Sequence, residues 1–148
     1  MRYFALAAAA CVATAAVAQP MAARIADRQA NYKQMGAAMK AINDQLRSGN
    51  PSVREIRRRS ALIAGFAVRL LRWFPRGSGP EAGVRTRALP AIWTDHDTFT
   101  RRGAALVVAA RRLDAAARGG DPAAIRAALP PVSRACSACH DDFRAPEH

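Results

Sequence analysis

The sequence predicts an all-α protein: an antiparallel four-helix bundle with a long loop between its second and third helices. Three observations lead there. Apolar residues recur at steps of three and four in four separate stretches, the pattern of helices that bury one stripe. Two of those stretches open on a polar cap followed by proline, Asn50-Pro51 and Asp121-Pro122; proline suits the first helical position because its missing amide has no partner there anyway. Between the second and third stretches, residues 75–93 hold Pro75, Gly77, Gly79, Pro80, Gly83 and Pro90, too many breakers for a regular helix.

In chain order, the first segment is not part of the bundle. Met1-Arg2 precedes an alanine-rich apolar run from Phe4 to Ala18 that ends Ala16-Val17-Ala18. A charged start, an apolar middle and a small-x-small end make residues 1–18 a secretory signal, cut before Gln19. The run is short and alanine-rich for a membrane span, and Cys11 within it would be lost on export. Residues 19–148 then form one domain, long enough to bury a core.

The first helix is expected from about Ala22 to Leu46, with Ile25, Tyr32, Met35, Met39, Ile42 and Leu46 facing inward. Gly49 stands where a left-handed cap would end it. Asn50-Pro51 opens the second helix, whose stripe is Val53, Ile56, Ile63, Phe66, Leu70 and Phe74, while Arg54, Arg57, Arg58 and Arg59 form a solvated outer face. In the long loop, Trp93 is expected to tuck back onto the bundle. The third helix runs from Thr94-Asp95 to about Arg118, carries Phe99, Leu106, Val107, Leu113 and Ala117 inward, and stops at Gly119-Gly120. The fourth begins at Asp121-Pro122. Its seam is Ile125, Leu129, Val132, Cys136, Cys139 and Phe143, so two cysteines share the core-facing stripe. Pro130-Pro131 falls inside it and should kink the helix or restart it.

Those cysteines belong to Cys136-Ser137-Ala138-Cys139-His140. Two cysteines three positions apart with a histidine after the second form the attachment signature of c-type haem. Each thiol adds across a vinyl group to give a thioether, and the adjoining imidazole can ligate the iron. A thioredoxin-like redox pair would need a βαβ setting, and a zinc site would need further Cys or His ligands. Outside the signal segment the chain has no other cysteine, and its other histidines are His96 and His148. The cysteines on the seam require the haem to insert between facing helices.

Charge is strongly positive. The chain is +12 overall, and loss of Arg2 with the signal leaves 22 basic against 11 acidic residues, or +11. Such a surface suits an acidic protein partner or an anionic membrane, and equally an unspecialised solvated surface. Nucleic acid does not fit an exported chain without a recognition motif.

From Arg24 to Arg144 the chain resembles the cytochrome c′ family, the four-helix class of c-type cytochromes. The resemblance rests on the helix order, the long second connection and the haem motif at the C-terminal end. It also rests on Arg28-Gln29 followed by Met35, on Leu89-Pro90-Ala91-Ile92-Trp93-Thr94-Asp95, and on Cys136 to Arg144 (CSACHDDFR). It implies one covalent haem c held by Cys136 and Cys139, with His140 as axial ligand. It further implies that Arg28 and Gln29 lie at the haem edge, Arg28 against a propionate, with Thr86 and Arg87 adding loop contacts. Arg144, one turn after His140, would lie beside the imidazole. Tyr32 and Met35 would line the distal pocket, and two chains would form a homodimer. Pro130-Pro131 departs from the family pattern.

The sixth coordination position separates the functions. Low-spin relatives place methionine one turn after the residue equivalent to Arg28; here that position is Tyr32. The reading is therefore a periplasmic, five-coordinate haem protein that binds small gases, nitric oxide above all. The alternative is an electron carrier with six-coordinate, low-spin iron, docking an acidic redox partner. No catalytic residue is expected, since no distal histidine or acid–base pair stands ready for peroxide chemistry.

Overall fold

The structure, a computed structural model, describes residues 20–146. The expected signal segment, with Cys11, and the terminal His148 lie outside the described residues. Five helices follow in order: α1 (Met21–Arg47), α2 (Val53–Ala67), α3 (Ala91–Thr94), α4 (His96–Gly119) and α5 (Pro122–Phe143). Four are the expected bundle, and α3 is a single added turn. Short 3-10 turns occur at Leu70–Trp73 and Pro80–Ala82. The packed pairs are α1 on α2, α2 on α4 and α4 on α5.

The predicted stripes meet in one core. Ile25, Ile42, Ile56, Ile63, Phe99, Leu113, Ile125 and Val132 are fully buried, each contributing roughly 1.5–3 kcal/mol by leaving water. Val53, Phe66, Phe74 and Val107 are only half-buried. Alanines fill the α2–α4 seam instead, and Ala67, Ala110 and Ala117 let the helices close up.

The helix ends show where local signals held and where they did not. Asp95 caps α4 by accepting from the Thr98 amide, and Asp121 caps α5 by accepting from Ala123 and Ala124. Gly120 ends α4 at φ +82°, the left-handed form that glycine adopts without strain. Gly49 does not cap α1. That role falls to Ser48, whose extended backbone still donates to Asp44 and Gln45. Nor do Asn50-Pro51 open α2. Ser52 caps it, accepting from the Glu55 amide at 3.4 Å while its own amide donates to Gln45 Oε1 at 2.8 Å. The Ser52-x-x-Glu55 spacing is the capping-box signature, and it outweighs the Asn-Pro pair.

Three more expectations need correction. α2 ends at Ala67 rather than near Phe74. The chain tightens instead into the 3-10 turn, and Pro75 disfavours helical backbone at Phe74, which leaves the turn at φ −119°, ψ 58° and is half-buried with Trp73. Their rings meet Tyr32 at 5.4 and 6.3 Å, and Phe74 meets Phe99 at 5.0 Å. Second, Arg57 is not simply solvated. Its Nε and Nη2 donate to the carbonyls of Ala117 and Arg118 at 2.9 and 2.8 Å, a cation at the negative end of α4. Third, the helix does not start afresh at Pro130-Pro131: α5 runs through both prolines. The prolines remove two amide donors, but Leu129 and Val132 on either side are buried, and their packing keeps the helix in one piece.

Trp93 docks as expected, its indole N–H lying 3.2 Å from the carbonyls of both Phe74 and Pro75. Gly79 permits this: a Cβ there would lie 2.9 Å from the indole ring. The long loop thus closes one end of the bundle.

Candidate functional site

α1 and α5 do not form a close-packed pair. At one end Arg126 of α5 donates to the Leu46 carbonyl of α1 at 2.7 Å, and beyond it the helices stand apart around a cavity of ≈ 600 Å³. Pockets that hold molecules of cofactor size run to about 300–1,000 Å³. Cys136, Cys139 and His140 line one wall and Arg28, Tyr32, Met35 and Met39 the other, with Leu70, Phe74, Phe99, Leu106 and Phe143 between them. The steps of three and four residues on α5 present both thiols and the imidazole to the same space.

The two cysteines are free thiols. Burial pushes both up, Cys139 to about 11, with Cys136 and Asp142 adding to its shift and Arg102 opposing it. Redox-active pairs behave in the opposite way, since their attacking thiol is held low by nearby positive charge. The described residues also contain no β-strand, only an isolated bridge between Ala88 and Arg144, so the βαβ setting is missing. Among the described residues no cluster of three His, Cys, Asp or Glu side chains could hold a metal ion, which removes the support for a zinc site.

Burial, then the positive charges of Arg144 and Arg87, lower the His140 imidazole below its ordinary value. It is therefore neutral at neutral pH, the form that ligates metals. Arg144 lines the same cavity as His140, and its backbone amide donates to the His140 carbonyl at 3.0 Å. Arg87 is brought to the same rim by a reciprocal pair: Ala145 N–H donates to the Arg87 carbonyl at 2.9 Å, and Arg87 Nε donates back to the Ala145 carbonyl at 2.8 Å.

Arg28 is only 3% exposed. Nη1 donates to Ser78 Oγ at 3.1 Å, and Nη2 to the Ser78 carbonyl and Thr86 Oγ1, both at 3.0 Å. The guanidinium lies 4.5 Å from the Phe74 ring centroid, within cation–π range. Gln29 is exposed and donates to the Arg85 carbonyl at 2.9 Å. Arg28, Gln29, Thr86 and Arg87 therefore converge on one edge of the cavity.

Tyr32 stands on the wall opposite the cysteines, half-buried against Trp73 and Phe74. Burial, reinforced by Cys139 and opposed by Arg28, raises its phenol well above the usual range. Met35 is buried and lines the same wall. His96 is exposed at the start of α4 and does not line the cavity.

Sequence reading missed Ser78, Arg102 and Asp142. Ser78 is fully buried beneath Arg28, and nothing local marks a loop serine for that role. Arg102 lines the cavity and pairs with Asp142 at 2.8 Å across α4 and α5; the partners are 40 residues apart, so no spacing rule links them. An apolar slot with paired thiols, a neutral imidazole and a cationic rim fits a flat apolar macrocycle bearing a metal and acidic arms. That is the chemistry of the haem the motif calls for.

The chain matches the family described as Cytochrome C' over residues 23–144. It is 37% identical over 122 residues to the cytochrome c′ of Rhodopseudomonas palustris, covering 82% of this chain and 81% of that relative. The solved structure of cytochrome c′ from Thermochromatium tepidum superposes with a TM-score of 0.80 at 28% identity, covering 88% of this chain and 100% of that one. A nitric oxide complex of a variant cytochrome c′ from Alcaligenes xylosoxidans shares the fold, with a TM-score of 0.74 and 24% identity over 83% of this chain and 94% of that one.

Proposed function

The chain belongs to the cytochrome c′ family, and on that premise we propose that it is an exported gas-binding cytochrome holding one covalent haem c between α1 and α5. The observation that carries this reading is a single cavity with Cys136, Cys139 and His140 on one wall and Tyr32 on the other. Cys136 and Cys139 would hold the haem through thioethers, and His140 would be its axial ligand. Bound there, the haem would supply a redox-active iron to which a small gas can bind.

The protein's own groups set what can reach that iron. Tyr32 fills the facing wall with a neutral phenol, which ferrous iron binds poorly, so it crowds the site without closing it. Apolar neighbours favour small uncharged ligands, because the Tyr32 hydroxyl is a single donor and would replace only part of the hydration an anion loses. Nitric oxide is the ligand that suits this best, and the relative solved with nitric oxide supports the reading. Arg28, Gln29, Thr86 and Arg87 would sit at the haem edge. Arg28, already held by Ser78 and Thr86, would meet a propionate in a fixed orientation. The reading is of a binding protein rather than an enzyme.

Residues 1–18 would direct export to the periplasm and be removed before Gln19. Two chains would pair along α1, whose exposed Ala22, Ala26, Ala30 and Ala37 allow close approach around a two-fold axis. The absorption spectrum of the reduced protein tests the central claim. A broad high-spin spectrum that changes on adding nitric oxide is expected; a sharp low-spin spectrum indifferent to nitric oxide would favour the electron carrier.

A further inference from the structure

The cavity walls and the helices behind them differ in charge. α1 and α5 together hold seven basic and four acidic side chains. From Val53 to Trp73 and along α4 there are eleven arginines against Glu55, Asp97 and Asp114. Of those three acids, Asp114 is buried and paired with Arg118, and Glu55 is taken up by Arg58 and Arg59. The cavity has a cationic rim of its own in Arg28, Lys33, Arg87, Arg102 and Arg144, but most of the arginines of α2 and α4 lie away from it. The exposed residues of its lining are Gln29, Lys33 and Gly36 of α1 with Ser133 and Arg144 at α5.

The same two elements carry the large exposed apolar side chains of the described residues: Val68 at 50%, Leu71 at 37% and Val108 at 51%. Ser60 meets Asp114, and Leu71 packs over Gly103, where a Cβ would lie 2.9 Å from Leu71 Cδ2. That antiparallel register puts Val68 level with Leu106 and Val108 level with Phe66. The three apolar side chains therefore fall within about 10 Å along the bundle axis, at ~1.5 Å per residue in α-helix and ~2.0 Å in the 3-10 turn. Arginines stand at both ends of the group. Arg69 and Arg72 follow Val68 and Leu71, and the exposed Arg111 and Arg112 follow Val108 by one turn. No carboxylate among the described residues pairs with any of these four.

We propose that the outer side of the α2–α4 pair binds an anionic phospholipid surface. Exposed aliphatic side chains flanked by arginine combine apolar insertion with attraction to anionic headgroups, the two terms of interfacial binding. The arginine stems lie along the acyl boundary while their heads reach phosphate. A second copy does not fit, because a two-fold axis would set arginines against arginines. An acidic redox partner seated here would face the side away from the cavity mouth. The proposal concerns a surface, and does not depend on what the cavity holds.

Flotation of the purified protein with vesicles tests it. The protein should bind vesicles of equal parts phosphatidylglycerol and phosphatidylcholine at low salt, ignore vesicles of phosphatidylcholine alone, and release in about 1 M salt, where charges are screened within ~3 Å. Arg111→Gln with Arg112→Gln should weaken binding about 25-fold, at roughly fivefold per charge, with the absorption spectrum unchanged. Failure to bind the anionic vesicles at low salt, or undiminished binding by the double variant, overturns the proposal. An equal loss from Arg24→Gln with Lys40→Gln on α1 overturns it too, since net charge would then be the cause.

Discussion

The α2–α4 and α1–α5 pairs carry apolar stripes of the same spacing, yet one is closed and the other open. Between α2 and α4, Ile56, Ala67, Ala110, Leu113 and Ala117 are all buried, and the Ser60–Asp114 contact lies within the seam. Between α1 and α5, Tyr32, Met39, Cys136 and Cys139 stay half-buried around the cavity. An apolar stripe records that a face is hidden from water. Whether protein or cofactor hides it depends on how closely the helices can approach, and alanine at the α2–α4 seam allows an approach that tyrosine and methionine on α1 do not.

The sharpest way to break the comparison is to remove the thiols. Cys136→Ala with Cys139→Ala should convert a haem that survives acid–acetone extraction into one that extracts completely. If the wild-type haem also extracts, the open pair is not an attachment site. A second contrast sets one pair against the other. Leu113→Ala, at a fully buried site, should cost about 2–5 kcal/mol in urea unfolding of the haem-free chain. Met35→Ala, whose side chain already faces the cavity, should cost markedly less; equal losses would mean that the haem-free chain collapses its slot.

In that haem-free chain Cys139 should resist alkylation until the pH approaches about 11. An unfolded thiol ionises near ~8.5, so native labelling at intermediate pH should be on the order of a hundredfold slower. The sign follows from linkage: the folded state keeps a proton that the unfolded state releases, so stability falls as pH rises above the unfolded value towards 11. Labelling at the unfolded rate would show that the cavity is open to water. The smallest expected effect is at the facing wall. Tyr32→Ala should relieve crowding of ~1–3 kcal/mol, raising carbon monoxide affinity on the order of tenfold to a hundredfold, and Tyr32→Met should shift the reduced spectrum towards low spin. An unchanged affinity in Tyr32→Ala would place the control of gas binding elsewhere.

The charge comparison bears on the alternative function. An electron carrier that uses its positive surface to dock an acidic partner gains most when the charge surrounds the cofactor edge. Here the larger excess lies on α2 and α4, but Arg28, Lys33, Arg87, Arg102 and Arg144 also line the cavity, so both sides of the molecule are positive. Overall net charge, legible from composition, carried no information about how it is divided between them.

What the sequence determined by itself is what depends on residues within a turn or two of one another. The C-x-x-C-H spacing puts two thiols and an imidazole on one helical face whatever surrounds them. Asp121-Pro122, Asp95 and Gly120 start and stop helices through bonds to their immediate neighbours. What the tertiary structure decided is what depends on competing or distant partners. Ser52 displaced Asn50 as the cap of α2 because Gln45 and Glu55 both engage it. α5 passes through Pro130-Pro131 because its flanking residues are buried. Arg28 faces inward because Ser78 and Thr86, 50 and 58 residues away, receive its protons. The Arg28 bonds join segments that only the closed bundle brings together, so no local spacing announces them.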